Sequence, residues 1–405
     1  MASERHVIVA GAGIAGLTAA LALVRAGMRV TVLEQAGQLA ETGAGIQLSP
    51  NATRVLIALG LRERLKAAVM TPRAIRVMAG GSGREIVRIP LGEEAERRYG
   101  APYWTIHRGD LQAALAAAAT AVQEVTLKLG TRVEDFADHV KDISVLTRSA
   151  NSTSDERGIA LIGADGLWST IASRLRKQHK PRFAHRTAWR ALVPAERVPA
   201  EFHAPLVHLW LGLDAHLVHY PVKGGRLINI VGIVYDEWRM SGWSAAGDRE
   251  EILRHFARWT WAEKARALIA LPDQWLKWAL YDRKTPFRGG AGPVTLIGDA
   301  AHPMLPFLAQ GAAMAIEDAA VLAAMLGRYH DDAANALRGY ERARWRRTAR
   351  VQQVARQQGR IYGLSGPEAV VRNLGMRLMG GENLRARYDW LYSWQPPPFV
   401  QAASA

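Results

Sequence analysis

The sequence predicts an α/β protein: a doubly wound domain on a parallel sheet, interleaved with an antiparallel-sheet domain and followed by a C-terminal helical segment. A short apolar strand at residues 6–10 runs into a glycine turn and an apolar helix. Buried-strand patterns that end in glycine and aspartate recur at residues 161–166 and 294–299. Between about 181 and 285, short strands rich in Trp, His, Val and Ile take over. The chain therefore visits the parallel-sheet domain at least three times.

The first strand–turn–helix unit has the pattern of a dinucleotide-binding turn. Gly11 allows the tight turn, Gly13 lets the backbone approach a pyrophosphate, and Gly16 lets the helix pack on the strand. Glu34 closes the next strand, where a carboxylate accepts hydrogen bonds from ribose hydroxyls and repels a 2'-phosphate. The helix N-terminus favours the pyrophosphate. The residues predicted to contact an unphosphorylated ADP moiety, as in FAD or NAD, are Gly11, Gly13, Ala15, Gly16, Glu34 and Gln35.

Further elements follow in chain order. A glycine-punctuated loop at 42–51 precedes a helix at 52–59, a hairpin at 74–89 and an Ala-rich helix at 110–122. Strands are predicted at 126–129, 140–147, 159–163, 207–211, 217–222, 226–235 and 294–297, and helices near 249–271, at 311–326 and at 337–363. We assign 1–72, 104–180 and 286–330 to the first domain, 73–103 and 181–285 to the sheet domain, and 331–405 to the helical segment.

Composition narrows the function classes. Hydrophobic residues make up 49% and charged residues 22% of 405 residues, which is typical of a globular protein. The absence of cysteine excludes disulfides, thiolate metal sites and cysteine nucleophiles, and no metal site is predicted. The first strand leaves no room for a signal peptide, and no apolar run is long enough to span a bilayer, so we expect a cytoplasmic protein that binds no membrane. The net charge of +15 is scattered without a nucleic-acid module. We expect it to steer small anionic ligands toward a site rather than to bind nucleic acid.

Three glycine–acid sites, taken in chain order, resemble the motifs of a known protein family. They are the turn at 11–16 with Glu34, the segment Gly163–Gly166, and the segment Gly298–Pro303. With Arg108, they resemble the class A flavoprotein aromatic hydroxylases, single-component FAD monooxygenases, and most closely the salicylate hydroxylase and 3-hydroxybenzoate 6-hydroxylase branch. The resemblance covers nearly the whole chain. It implies a glutathione-reductase-type FAD-binding Rossmann-like domain, non-covalent FAD, and NADH or NADPH as the transient reductant.

The resemblance also implies which residues contact FAD. Arg108 would reach the flavin side and Asp299 the ribityl chain, while Asp165 belongs to a segment implicated in both FAD and nicotinamide binding. The sequence departs from the family here, because Ala172 stands where an arginine is usual and Arg174 follows two places later. The loop before the 311–326 helix would deliver a helix N-terminus to the negative charge of the reduced flavin. The remaining cofactor residues predicted are Gly45, Pro306, Gly311 and Ala312.

The reaction implied is hydroxylation of a hydroxylated aromatic carboxylate by O2, through a flavin hydroperoxide. Such a ring is activated by removing a proton from its hydroxyl, a task suited to histidine. Strand alternation places His216 and Tyr220 on one face and His219 on the other, and the family has a His and Tyr at this spacing. We therefore predict His216 as the base and Tyr220 as a substrate-orienting hydroxyl. Gln47 and Pro303 are predicted to contact the substrate, and His302 is assigned a structural role.

Other functions stay open at this point. A flavin oxidase or dehydrogenase would use the same FAD pattern, although a second G-x-G-x-x-G for NADPH is absent from the sequence. A non-catalytic flavin-binding redox sensor would need no buried substrate pocket. Salicylate, 3-hydroxybenzoate and hydroxynicotinate are equally compatible substrates. Either a monomer or a homodimer is compatible with the sequence.

Overall fold

A computed structural model describes residues 5–39, 44–139, 142–150, 152–175, 181–239, 244–257 and 261–398. The strands are β1 His6–Ala10, β2 Arg29–Leu33, β3 Gly45–Leu48, β4 Ala74–Ala79, β5 Glu85–Pro90, β6 Trp104–His107, β7 Val125–Lys128, β8 Arg132–Asp138, β9 Ile143–Arg148, β10 Thr153–Gly158, β11 Ala160–Gly163, β12 Arg182–Pro194, β13 Leu206–Leu211, β14 Ala215–Val222, β15 Leu227–Tyr235, β16 Ala245–Gly247, β17 Trp275–Asp282 and β18 Val294–Leu296. The helices are α1 Ile14–Arg25, α2 Pro50–Ala58, α3 Arg62–Leu65, α4 Gly92–Tyr99, α5 Arg108–Thr120, α6 Thr170–Leu175, α7 Arg249–Ala257, α8 Glu263–Ala270, α9 Gly311–Arg328, α10 Ala333–Tyr362, α11 Gly366–Ala386 and α12 Asp389–Tyr392. Short 3-10 turns lie at Ala195–Arg197, Ala200–Phe202, Lys223–Gly225, Gly298–Ala300 and Pro306–Leu308.

The parallel sheet has the order β18-β11-β1-β2-β7. Its strands are short and apolar because both faces are covered: α1 and α9 pack on one face, and the antiparallel β10-β9-β8 sheet covers the other. All its neighbouring pairs are parallel, so the carboxyl ends of the strands meet at one edge. The three recurring glycine–acid segments follow β1, β11 and β18 at that edge, where open α/β sheets bind ligands. The predicted α/β fold is confirmed.

A second sheet of eight strands has the order β16-β17-β12-β15-β14-β13-β4-β5. It is antiparallel except where β13 pairs with β4 in parallel. One face packs a core of tryptophans and aliphatic residues under α7 and α8, including Trp189, Trp210 and Trp275. The other face turns toward the parallel-sheet edge, and the two-stranded β3-β6 sheet lies between them, with β6 in contact with β14. The domain boundaries given above stay a prediction.

Several elements differ from the sequence expectation. The predicted basic helix at 337–363 is confirmed as α10, whereas α11, α12, β8 and β10 were not predicted. The single helical stretch near 249–271 is two helices, α7 and α8, on either side of residues 258–260, which lie outside the described residues. The start of the predicted 140–147 strand also lies outside them, and β9 begins at Ile143. Among the helices in the described ranges, none combines the length and apolar character needed to cross a membrane.

Candidate active site

One cavity of about 710 Å³ joins the carboxyl edge of the parallel sheet to the inner face of the eight-stranded sheet. Most of the predicted site residues line it, although they come from distant parts of the chain. The predicted residues on its wall are Gly11, Gly13, Ala15, Glu34, Gln35, Gly45, Gln47, Arg108, Asp165, His216, Tyr220, Asp299, Pro306, Gly311 and Ala312. Gly16 and Pro303 are not among the lining residues.

The glycine turn has the geometry that its sequence requires. Gly11 adopts a φ of +106°, and its N–H donates to the Leu33 carbonyl at 2.7 Å. A Cβ on Gly16 would lie 1.8 Å from the Gly11 carbonyl oxygen, so Gly16 serves helix packing rather than direct contact. A Cβ on Gly13 would meet no protein atom within 4 Å, because Gly13 opens onto the cavity. The carboxylate of Glu34 accepts hydrogen bonds from the N–H groups of Ala12 at 2.8 Å and Ala36 at 2.9 Å.

The second and third segments place two carboxylates along the same cavity. Asp165 Oδ2 accepts hydrogen bonds from the N–H groups of Thr170 and Ile171, at 2.8 and 3.3 Å, and so orders the turn into α6. Its Oδ1 is buried with no hydrogen-bond partner in the described part of the chain. Arg174, the residue near the position of the usual family arginine, instead pairs with Asp135 at 3.6 Å, away from the cavity lining.

Asp299 and Arg108 both line this cavity and interact electrostatically. Burial raises the pKa of Asp299, while His302, Arg108 and Arg283 oppose that rise. Burial lowers the pKa of Arg108, and Asp299 opposes that effect. The buried Arg283 guanidinium donates to the carbonyls of Ala300 and Leu167, so it ties the second segment to the third.

The loop between β18 and α9 forms the cavity wall next to the eight-stranded sheet. Its Pro306–Leu308 turn is followed by Ala309 in the left-handed region at φ 52°, and α9 begins at Gly311. Gln310 Nε2 donates to Ser49 Oγ at 2.8 Å, which ties this loop to the start of α2. Pro303, expected to contact substrate, lies outside the cavity because its buried carbonyl accepts from Gln352 Nε2 at 2.8 Å on α10.

A buried ionic network underlies this loop. Arg344 Nη1 donates to Glu317 Oε2 and Arg344 Nε to Asp318 Oδ1, each at 2.6 Å. Asp318 Oδ2 lies 2.5 Å from His302 Nε2 and accepts from the Gly298 N–H at 2.9 Å. The pKa of Asp318 is lowered because His302 and Arg344 together outweigh the burial of the carboxylate, which acts in the opposite direction. His302 therefore belongs to the buried network that holds the loop in place, which agrees with the structural role assigned to it.

The side chains of β14 alternate between two faces of the sheet, as predicted. His216, Val218 and Tyr220 line the cavity, whereas the His219 ring stacks on His208 at 4.4 Å in the opposite core. Burial, with a contribution from Arg186, lowers the pKa of His216 to about 3, so its imidazole is neutral at physiological pH. Its ring lies 5.4 Å from that of Phe307 in the loop. Burial raises the pKa of Tyr220, against opposing effects of Arg190 and Gln47.

Arg190 is the main site residue that the sequence reasoning missed. In register, Arg190 lies opposite Val231 and Val231 opposite Val218, so Arg190 shares the cavity face of His216 and Tyr220. Burial lowers the pKa of Arg190 to about 10, which leaves it cationic at neutral pH. Its buried Nε has no hydrogen-bond partner in the described part of the chain, and the centre of the Trp278 ring lies 5.0 Å from its guanidinium carbon. A lone arginine within the apolar 187–193 strand pattern was the available signal.

The C-terminal segment was also missed as part of the site. Several tyrosines line the cavity together, and two of them, Tyr388 and Tyr392, come from the end of the chain. Tyr103 Oη donates to Gln47 Oε1 at 2.8 Å, and the Tyr103 and Tyr392 rings meet at 6.2 Å. From the helices after α10, the lining residues are Met376, Leu384, Tyr388 and Tyr392.

These features define a flavoprotein site. Gly13 leaves space for a pyrophosphate, Asp165 presents a carboxylate oxygen with no hydrogen-bond partner in the described part of the chain, and Arg108 adds a cation to the cavity wall. The residues present therefore fit FAD along the cavity wall.

The chain belongs to the FAD-binding family described as "FAD binding domain", whose sequence profile matches residues 4–358. It is 37% identical to "3-hydroxybenzoate 6-hydroxylase 1" of Aquipseudomonas alcaligenes over 397 residues, which cover 96% of each chain. A salicylate hydroxylase substrate complex superposes with a TM-score of 0.81 at 26% identity, over 98% of this chain and 97% of the other. Klebsiella pneumoniae HpxO, crystallised with FAD and uric acid, gives a TM-score of 0.82 at 25% identity and 96% coverage of both chains. The protein is an FAD-dependent aromatic hydroxylase, and the resemblance stated from its sequence is confirmed.

Proposed function

We propose that the protein uses NADH or NADPH and O2 to hydroxylate an aromatic ring that carries both a hydroxyl and a carboxylate group. The observation that carries this proposal is that one face of the eight-stranded sheet presents a cation, Arg190, two strands away from two polar aromatic residues, His216 and Tyr220, and that all three line one cavity with the loop before α9. Bound FAD supplies the electron transfer and oxygen activation for this reaction. The aromatic acids in the names of the relatives above support the same substrate class.

Arg190 fits the carboxylate of the substrate. A buried guanidinium without an acidic partner is unfavourable, since its charge is removed from water without compensation. A bound carboxylate would remove that cost through charge-assisted hydrogen bonds, which Arg forms in a two-pronged geometry. We therefore infer that Arg190 selects acids over neutral phenols and anilines.

His216 fits the ring hydroxyl. Its low pKa keeps the imidazole unprotonated across the neutral range, so it accepts a hydrogen bond from the hydroxyl and draws electron density into the ring. The same low pKa makes transfer of a full proton to the imidazole costly. The cationic Arg190 compensates by stabilising negative charge on the bound ligand. Tyr220, two positions along β14 from Val218, orients the ring from the other side.

The remaining wall protects the reaction and stabilises charge. The first residues of α9, Gly311 and Ala312, line the cavity, so the positive end of the helix dipole would favour a negatively charged reduced cofactor there. The tyrosines from the C-terminal helices exclude water from the ring. This limits loss of reducing equivalents without product.

The proposal is tested by measuring NADH and NADPH oxidation and oxygen uptake with hydroxybenzoates and hydroxynicotinates, with products identified by mass. One acid should accelerate oxidation and gain one oxygen atom. Oxidation of another small molecule without oxygen incorporation would indicate an oxidase or dehydrogenase. A flavin-loaded protein that responds to no acid would favour a redox-sensing role.

Two variants assign the roles. His216→Ala should abolish coupled hydroxylation with FAD still bound, and Arg190→Gln should raise KM for the acid about 100-fold with a smaller effect on its neutral amide. His185→Ala, an exposed histidine paired with Glu237, is the matched control and should behave as wild type. The acid limb of the kcat/KM profile should show no inflection near 6.5 from His216, because its pKa lies far below. An active His216→Ala variant would remove the assigned role.

A further inference from the structure

The active-site cavity has an apolar arm that the proposed chemistry does not use. The arm is the part of the cavity that lies between α11 and the last three strands of the eight-stranded sheet, β13, β4 and β5. Its lining side chains are Ile75, Val77, Ile89, Leu209, Met376 and Leu384. Five of these side chains are aliphatic and the sixth is a thioether, so they offer a ligand neither a charge nor a strong hydrogen bond.

The strand register aligns this arm with the polar half of the site. Arg190 on β12 pairs with Val231 on β15, Val231 with Val218 on β14, Val218 with Leu209 on β13, and Leu209 with Val77 on β4. All five residues line the cavity. One row across the sheet therefore begins at a cation and continues as aliphatic side chains into the arm.

We propose that the arm holds an apolar substituent, so that the substrate is a hydroxylated aromatic acid with an alkyl chain on the ring carbon opposite the carboxylate. This inference rests on the proposed function, which pairs the carboxylate with Arg190 and the hydroxyl with His216. His216 and Tyr220 lie two positions before and after Val218 on β14, so a ring over Val218 has its hydroxyl to one side of the row. With the carboxylate toward Arg190, the opposite ring carbon is directed toward Leu209 and the arm.

The arm accommodates a chain of limited length. From β14 to β5 the sheet spans three strand spacings, about 14 Å. The ring covers the first part of this distance, and an extended chain of roughly six carbons, with bonds of about 1.5 Å, fills the rest. A Cβ on Gly381 would lie 1.8 Å from the Arg88 carbonyl oxygen, and Arg385 Nη1 donates to the Pro90 carbonyl at 3.2 Å. These contacts hold α11 against β5 and set the depth of the arm.

Burial of the chain supplies the additional affinity. Transfer of one methylene from water into an apolar cavity improves binding by about fourfold. Ordering a flexible chain offsets part of this gain. We therefore expect a hexyl acid to bind about 100-fold more tightly than the corresponding methyl acid.

Titration of the FAD-loaded protein, followed by flavin absorbance without NADH or NADPH, tests the arm independently of turnover. The probes are 2- and 3-hydroxybenzoates with a methyl, hexyl or dodecyl group opposite the carboxylate. The dissociation constant should fall about 100-fold from methyl to hexyl and rise again at dodecyl, which exceeds the depth of the arm. Isomers with the hexyl group next to the carboxylate should show no such gain.

Variants that fill the arm provide the second test. Val77→Phe should remove most of the hexyl gain, and Met376→Phe should do so from the helix if Val77→Phe disturbs the sheet. Val371→Phe makes the same change as the first variant at a position of α11 that is 70% exposed. It is the matched control and should keep the gain.

Three outcomes would overturn the arm. They are equal affinity for methyl and hexyl acids, a hexyl gain that both filling variants retain, and octanoate binding as tight as that of the hexyl acid, since the arm would then serve a ligand without the aromatic ring. Failure of the proposed function is distinguishable. In that case the hexyl acid binds more tightly but gains no oxygen atom with NADH or NADPH and O2, whereas hydroxylation of the unsubstituted acid without a hexyl gain refutes the arm alone.

Discussion

Replacement of Arg344 by methionine is expected to be among the most destabilising single changes in this protein. Arg344 is 3% exposed and makes 2.6 Å contacts to two acids, Glu317 and Asp318, that are fully buried. Methionine preserves much of the side-chain volume but removes both charge-assisted hydrogen bonds. Breaking a buried ion pair by removing one partner costs roughly 3–5 kcal/mol, because the remaining charge stays in the interior. Against a typical stability of about 5–15 kcal/mol, the loss is large.

Arg347 provides the internal comparison. It contacts only Glu317 of the two acids, at 2.7 Å, and its other hydrogen bonds go to the Trp390 and Leu391 carbonyls. Its side chain is also more exposed, at 14%. Arg347→Met should therefore cost about 1–2 kcal/mol, since water compensates part of the loss.

The assay is urea unfolding of both variants, followed by circular dichroism and by flavin fluorescence, with coincidence of the two probes as the check for two-state behaviour. Because Asp318 also contacts His302 and the Gly298 N–H, Arg344→Met should weaken FAD binding as well. The double variant Arg344→Met/Asp318→Asn should be less destabilised than Arg344→Met, since it removes the uncompensated carboxylate. A loss below about 1 kcal/mol for Arg344→Met, or a larger loss for Arg347→Met, would refute the reasoning.

Two further predictions concern acid stability and the glycine turn. Burial lowers the pKa of His208 to about 4 and that of His219 well below its usual range, so the unfolded chain binds protons that the folded protein does not. Stability should therefore fall by about 3 kcal/mol between pH 7.5 and 5.5 from this pair; an equal fall in His208→Gln/His219→Gln would contradict the assignment. Gly16→Ala should destabilise even the FAD-free protein, because its Cβ would overlap the Gly11 carbonyl, whereas Gly13→Ala should keep that stability and lose FAD affinity. Thermal melts with FAD titration separate the two, and equal behaviour of both variants would contradict the cavity geometry.

Local sequence carried much of the fold because the parallel strands β1, β11 and β18 are short and almost wholly buried, and each ends in or close to a glycine. The glycine turn, its two recurrences along the chain and the alternation on β14 each depend on neighbours within a few residues. The strands β8 and β10 were not predicted because they are polar edge strands of the three-stranded antiparallel sheet. Their sequences therefore lack a strong alternation of apolar residues. The helix α11 was missed because both of its faces are apolar, so it lacks an amphipathic pattern.

The sequence by itself predicted that this protein binds FAD, that the acid and glycine residues of the three recurring segments lie near one another, and that His216 and Tyr220 share a surface. Only the tertiary structure decided that Arg190 lines the same cavity as these two residues, because its strand β12 lies two strands from β14 in the sheet. The tertiary structure also decided that tyrosines from the end of the chain line this cavity. The physical reason is that sheet pairing and burial depend on residues far apart in the chain. Strand alternation states which way a side chain points, but the partner strand decides what it faces, and burial decides that His216 is neutral and Arg190 remains a cation.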